Sequence, residues 1–139
     1  MTSPLPLLPV QMALYVKLTA DATLMNAVTG VHDGRAPEDA TYPYIVIGEA
    51  IETSDNAHDR FGRQTVHTLH VWDQHRGFKT VLEIGAQVNA LLDHQPLAIA
   101  GLHHVVTRYE FGQPLTDPEP PGDIRHLVLR YRVVTEQTP

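Results

Sequence analysis

Between residues 78 and 93 the chain repeats apolar side chains at steps of three and four. Phe78, Val81, Leu82, Ile84, Gly85, Val88, Leu91 and Leu92 fall on one side, with Lys79, Glu83 and Gln87 opposite. That is the period of an amphipathic helix with one apolar flank, and Pro96 stops it. Such a helix needs a flat apolar partner to cover its flank. The segments around it supply one, because they are rich in β-branched and aromatic residues at alternating positions.

Residues 44–52 follow Pro43 and alternate Ile45, Ile47 and Ile51 with Tyr44, Val46 and Ala50, so both faces are apolar. Residues 64–73 set Leu69 and Val71 with His67 against Val66, Thr68, His70 and Trp72. Beyond the helix, residues 97–100 read as a short strand, Gly101 as a turn, 104–111 as a strand and 124–135 as the longest strand. The long helix covers one sheet face. Tyr44, Val46, Val66 and Trp72 are then left without cover on the other, and uncovered apolar surface marks an interface.

At the other end of the chain, Pro9 opens a helix reaching Leu18. Its Val10, Met12, Ala13, Leu14, Tyr15, Val16 and Leu18 go almost all the way round, interrupted by Gln11 and Lys17. A helix apolar on every side is buried on every side, and in so small a domain one side is expected to face another subunit. Asp21 is positioned to cap a short helix over 22–28, with Gly30 past its end. Residues 31–41 read as a loop, and 53–63 as a polar hairpin tip carrying Phe61. Residues 112–122 hold Pro114, Pro118, Pro120 and Pro121 with Asp117 and Glu119, a stiff solvated loop that should project and not pair. The order is α-α-β-β-α-β-β-β, an α+β domain with four or five strands in an antiparallel or mixed sheet and helices on one face. Residues 1–9 are set apart as a flexible N-terminal segment, 10–135 as a single domain and 136–139 as a C-terminal tail.

The 139 residues suffice for one core. Absence of cysteine excludes disulfides, thiolate metal sites and cysteine nucleophiles. A net charge of −6 lacks the basic footprint on which nucleic-acid affinity rests. Residues 1–9 carry Pro4, Pro6 and Pro9 and no basic residue, which argues against a signal peptide. No run reaches the roughly 18 apolar residues of a membrane span.

Nine histidines invite a metal reading. However, His67 and His70 lie three apart on a strand and point to opposite faces, His103 and His104 diverge, and no HExxH spacing occurs. Ser3 and Ser54 are the only serines, and neither sits in a GxSxG turn. Phosphate-binding glycine loops are missing too. No catalytic, metal or cofactor residue is therefore assigned. Candidate partner contacts are Arg60, Phe61 and Arg63 at the hairpin tip, since an aromatic between two arginines has hot-spot composition. Folding of Phe61 onto the core is the equal alternative. Tyr44, Val46 and Trp72 on the open sheet face and Pro118 and Pro120 in the proline loop complete the set.

Several local features combine in one order: Met12-Ala13-Leu14-Tyr15, Ala20-Asp21, Tyr42-Pro43-Tyr44-Ile45-Val46, Leu69-His70-Val71-Trp72-Asp73, and Leu127-Val128-Leu129-Arg130-Tyr131. Across residues 10–134 this resembles the tail-completion, or tail-terminator, family of long-tailed phages and gene-transfer agents. The resemblance implies a non-enzymatic virion protein without cofactor, assembled in the host cytoplasm. It further implies a ring, typically a hexamer, at the head-proximal end of the tail. There it would sit on the tail tube protein and offer a docking surface to the head connector, or stopper. DNA would pass through its channel without specific binding, and no membrane is involved. The competing reading is a small cytoplasmic regulatory domain binding a metal or small ligand.

Overall fold

The computed structural model describes residues 4–138. Two helices, α1 (Leu7–Thr19) and α2 (Ala22–Ala27), precede three strands, β1 (Val31–Asp33), β2 (Tyr44–Ser54) and β3 (Gly62–Gln74). Helix α3 (Lys79–Leu92) follows, then β4 (Leu102–Thr116) and β5 (Ile124–Gln137). The strands form one sheet in the order β1-β2-β3-β5-β4, with β1 parallel to β2 and every other pair antiparallel. This is the mixed five-stranded α+β architecture expected from the pattern. The first three residues and the last, parts of the terminal segments set apart above, lie outside the described residues.

All three helices pack on one sheet face. There Ile45, Ile47, Leu69, Val71, Leu129, Tyr131 and Val133 meet Val81, Ile84 and Val88 of α3 and Val10, Leu14 and Leu18 of α1 in a single core. Asp21 caps α2 as its position suggests, its carboxylate accepting from the Leu24 amide at 2.9 Å. Glycine lets α3 come close to the sheet: a Cβ on Gly85 would collide with Leu127.

The short strands sit elsewhere than the pattern suggests. Residues 97–100 bury Leu97 and Ile99 in the core yet pair with no strand, because a turn at Gly101, with φ +76°, lets Ile99 accept from Leu102 only three residues on. Val31–Asp33, taken as loop, instead adds β1 beside Ile45–Ile47. A three-residue strand leaves too short an alternation to detect in sequence. Residues 112–116, also expected in a loop, continue β4, and Pro114 pairs in register with Leu127. The proline is tolerated because β4 is the outermost strand, so its missing amide faces away from β5.

β3 and β5 pair without interruption from Gly62↔Glu136 to Gln74↔Ile124. β2 does not run so evenly: a bulge between Ile47 and Ala50 inserts one residue. The slip moves Ile51 off the face of Ile45 and Ile47 and sets it opposite Val66, where it is 69% exposed.

Candidate interaction surfaces

The helix-free sheet face carries an aromatic cluster. Trp72 lies flat on His126, with ring centroids 3.8 Å apart and 8° between planes. His126 Nε2 in turn stands 2.6 Å from His70 Nδ1, so one imidazole donates and the other accepts. Burial pushes both histidines below their ordinary pKa, His126 to about 4 with the neighbouring His70 adding to the effect. Glu49 acts on His70 in the opposite direction. Tyr44 stacks with Tyr42 at 5.3 Å and meets the edge of His32 at 5.7 Å. A cleft of about 250 Å³ opens here between residues 34–36 and Tyr44, Val46, His70 and Trp72. Tyr44 and Trp72 are half-buried, whereas Val46 is 5% exposed. Val46 is therefore closed off and not the open apolar position expected of it.

Further along the same face, a groove of about 500 Å³ is lined by Glu49, Ile51, Val66, Glu110, Arg130 and Arg132. Arg132 Nε contacts Glu110 at 2.6 Å, and the Arg130 guanidinium lies 4.9 Å above the Phe111 ring.

At the hairpin tip the two arginines are tied down. Arg60 reaches Glu136 at 3.0 Å and Asp59 at 3.4 Å, and Arg63 reaches Glu52 at 3.2 Å. The Arg60 pKa is raised by its hydrogen bond to Asp59 first and to Glu136 second. Phe61 is 36% exposed, is absent from the core and lines a crevice with Pro4, Leu102 and Gln137. Pro118 and Pro120 lie in the connection between β4 and β5, about 40 Å of strand away from the tip, both exposed. The structure thus brings Tyr44, Val46 and Trp72 together, keeps Arg60, Phe61 and Arg63 together at the far end, and places the prolines apart from both.

α1 carries an exposed apolar stripe. Its buried side is Val10, Ala13, Leu14 and Leu18. Leu8, Met12, Tyr15 and Val16, with Leu5 just before the helix, remain 47–65% exposed. Among the described residues no helix is long and apolar enough to cross a membrane, and no three histidine, aspartate or glutamate residues converge as a metal site.

A family model, that of the tail completion protein gp17, matches residues 12–136. The chain belongs to this family. Its members are structural tail proteins and not enzymes. The tail completion protein gp17 of Bacillus phage SPP1 is 29% identical over 125 residues, which is 88% of each chain. A chain of the virion of a native gene transfer agent particle superposes with a TM-score of 0.84 at 23% identity, over 96% of this chain and 99% of that one. The structure of bacteriophage SPP1 gp17 gives 0.63 at 23% identity, over 94% and 95%. These two likenesses show a shared fold.

In this tail completion domain the sequence signals missed two things. The His70–His126 contact joins residues 56 apart in the chain, and only the β3·β5 register brings them opposite neighbouring positions. Arg125, a charged residue near the start of β5 with no local pattern to single it out, grips the chain at three places. It donates to the carbonyls of His75 and Arg76 and to the Thr116 hydroxyl, at 3.1, 2.7 and 2.7 Å.

Proposed function

We propose that this tail completion protein assembles as a hexameric ring at the head-proximal end of a phage-like tail. The ring stops growth of the tail tube and presents a surface to the head connector. Family membership over residues 12–136 supports a tail role, and the observation that carries the assembly is the exposed stripe on α1. Five large apolar side chains, Leu8, Met12, Tyr15 and Val16 on one side of that helix and Leu5 just before it, remain 47–65% exposed among the described residues. A ring is a closed head-to-tail assembly and needs two different surfaces on each copy; the α1 side and the helix-free sheet face are two such surfaces. The net charge of −6 favours passage of DNA through the channel by like-charge repulsion. The protein thus resides in the virion after assembly in the host cytoplasm, with residues 10–135 as its working domain. Deleting the gene and imaging the particles tests this. Heads unattached to tails of uncontrolled length are expected, and normal joined particles would defeat the reading.

A further inference from the structure

The two imidazoles on the helix-free face meet diagonally across the β3–β5 ladder. Trp72 stands opposite His126 in register and His70 opposite Val128, yet His70 Nδ1 and His126 Nε2 are 2.6 Å apart, with ring centroids at 4.8 Å. Each ring is seated on its other side. Trp72 lies flat on His126, and Gly48 of β2 leaves room for His70, since a Cβ there would stand 2.7 Å from His70 Nε2. Charged and titratable groups reach this pair from several elements. β2 brings Glu49, which acts on His70, and Tyr44, which lines the same cleft. Arg35 lines that cleft from the segment after β1, and Asp117, after β4, acts on His126. Arg130 is two positions beyond Val128 on β5, and β4 sets the uncharged Leu115 opposite His126. The two carboxylates favour a charged imidazole, whereas burial opposes it more strongly.

We propose that the His70–His126 pair is a proton-operated latch, shut at neutral pH and opened by acid, that sets the shape of the aromatic cleft between Tyr44 and Trp72. With both rings neutral, one proton lies between the facing nitrogens, one imidazole donating and the other accepting. A first added proton goes to the outer nitrogen of the donor and leaves that hydrogen bond in place. A second puts a hydrogen on both facing nitrogens. No lone pair then remains to accept, two cations stand at contact distance, and the rings must part. Trp72 loses the ring that covers it, and the cleft it lines with His70 and Tyr44 changes with it. The backbone pairing of β3 with β5 is not touched, so proton uptake remodels side chains on an interaction surface while the sheet beneath stays whole.

Trp72 is the chain's single tryptophan, so its fluorescence reads the latch. The parent is titrated from neutral pH down to about 4, with acrylamide quenching for access to Trp72 and far-ultraviolet circular dichroism for the fold. Emission should fall as the stacked imidazole becomes a cation, and the acrylamide quenching constant should rise as the rings part, both before the circular dichroism changes. His126→Phe keeps an aromatic ring against Trp72 but binds no proton, and should abolish both responses. His70→Gln removes the repelling cation. Its emission should still titrate, at higher pH because His70 is one of the groups holding His126 down, while access to Trp72 stays constant. The two substitutions disarm the pair from opposite sides, so either alone decides. Access to Trp72 that rises equally in His126→Phe, or that rises in the parent only as the circular dichroism is lost, would overturn the latch. So would a folded parent whose Trp72 stays shielded down to about pH 4.

Discussion

Arg125 holds three connections with one guanidinium. Its bonds to His75 O and Arg76 O fix the turn between β3 and α3, its bond to Thr116 fixes the end of β4, and the plane packs 4.9 Å from the Phe78 ring. Replacing it with lysine keeps the charge but loses the fork. Arg125→Lys is expected to lower stability by about 1–3 kcal/mol in urea unfolding, and Arg125→Met by at least as much. His67 makes a different case. It is 1% exposed on the helix face, neither ring nitrogen finds a partner among the described residues, and burial lowers its pKa from 6.5 to about 4. The folded chain therefore binds fewer protons than the unfolded one in that interval. Stability is full above pH 6.5 and is lost as pH falls toward 4, by at most about 3 kcal/mol from this group. His126 adds a smaller share in the same direction because it is only half-buried. His67→Leu should flatten the decline in denaturation curves taken between pH 4 and 6.5. A variant declining as steeply as the parent would contradict this account.

β4 is a long outer strand that avoids pairing with strangers by occupying its own edge. Asp93, just past α3, accepts from the Tyr109 amide, and that bond is the main reason its carboxyl pKa lies below the ordinary value. Asp93→Ala frees the amide, with an expected loss of about 1 kcal/mol and faster aggregation on heating by light scattering; Asp93→Asn, which keeps an acceptor, should rescue it. How legible each element was follows from its length and period. The fourteen residues of α3 repeat their pattern four times over, and the alternation of β3 and β5 is equally long, so both stood out. β1 has three residues and no pattern to repeat. The bulge in β2 defeated alternation itself, sending Ile51 to the opposite face from the one its spacing implied. Pro114 argued for a loop until the strand order made it an edge residue. The open face was legible as uncovered, but its His70–His126 contact was not, since no local pattern encodes which strand lies beside which.

For the molecule as a whole, the assembly role proposed for the apolar stripe of α1 is separable from folding. Met12 and Val16 are 58% and 61% exposed and lie outside the core. Met12→Lys with Val16→Glu should therefore shift the unfolding midpoint by little, within about 0.5 kcal/mol, while raising the concentration at which multimers form in light scattering. Leu14→Ala on the buried side of the same helix should do the reverse kind of damage, costing about 2–5 kcal/mol of stability. If the exposed pair proved as destabilising as Leu14→Ala, the stripe would belong to the fold and not to a partner.

Placing β5 between β3 and β4 also sets a timetable. β3 is made well before its inner neighbour, and α3 and β4 must leave the ribosome first. Until β5 arrives one side of β3 stays unpaired and β4 has no strand beside it, so that half of the sheet cannot form. Distant pairings of this kind close slowly. In the proposed ring, a growing chain would thereby be kept from joining its siblings through that half of the sheet before it is finished.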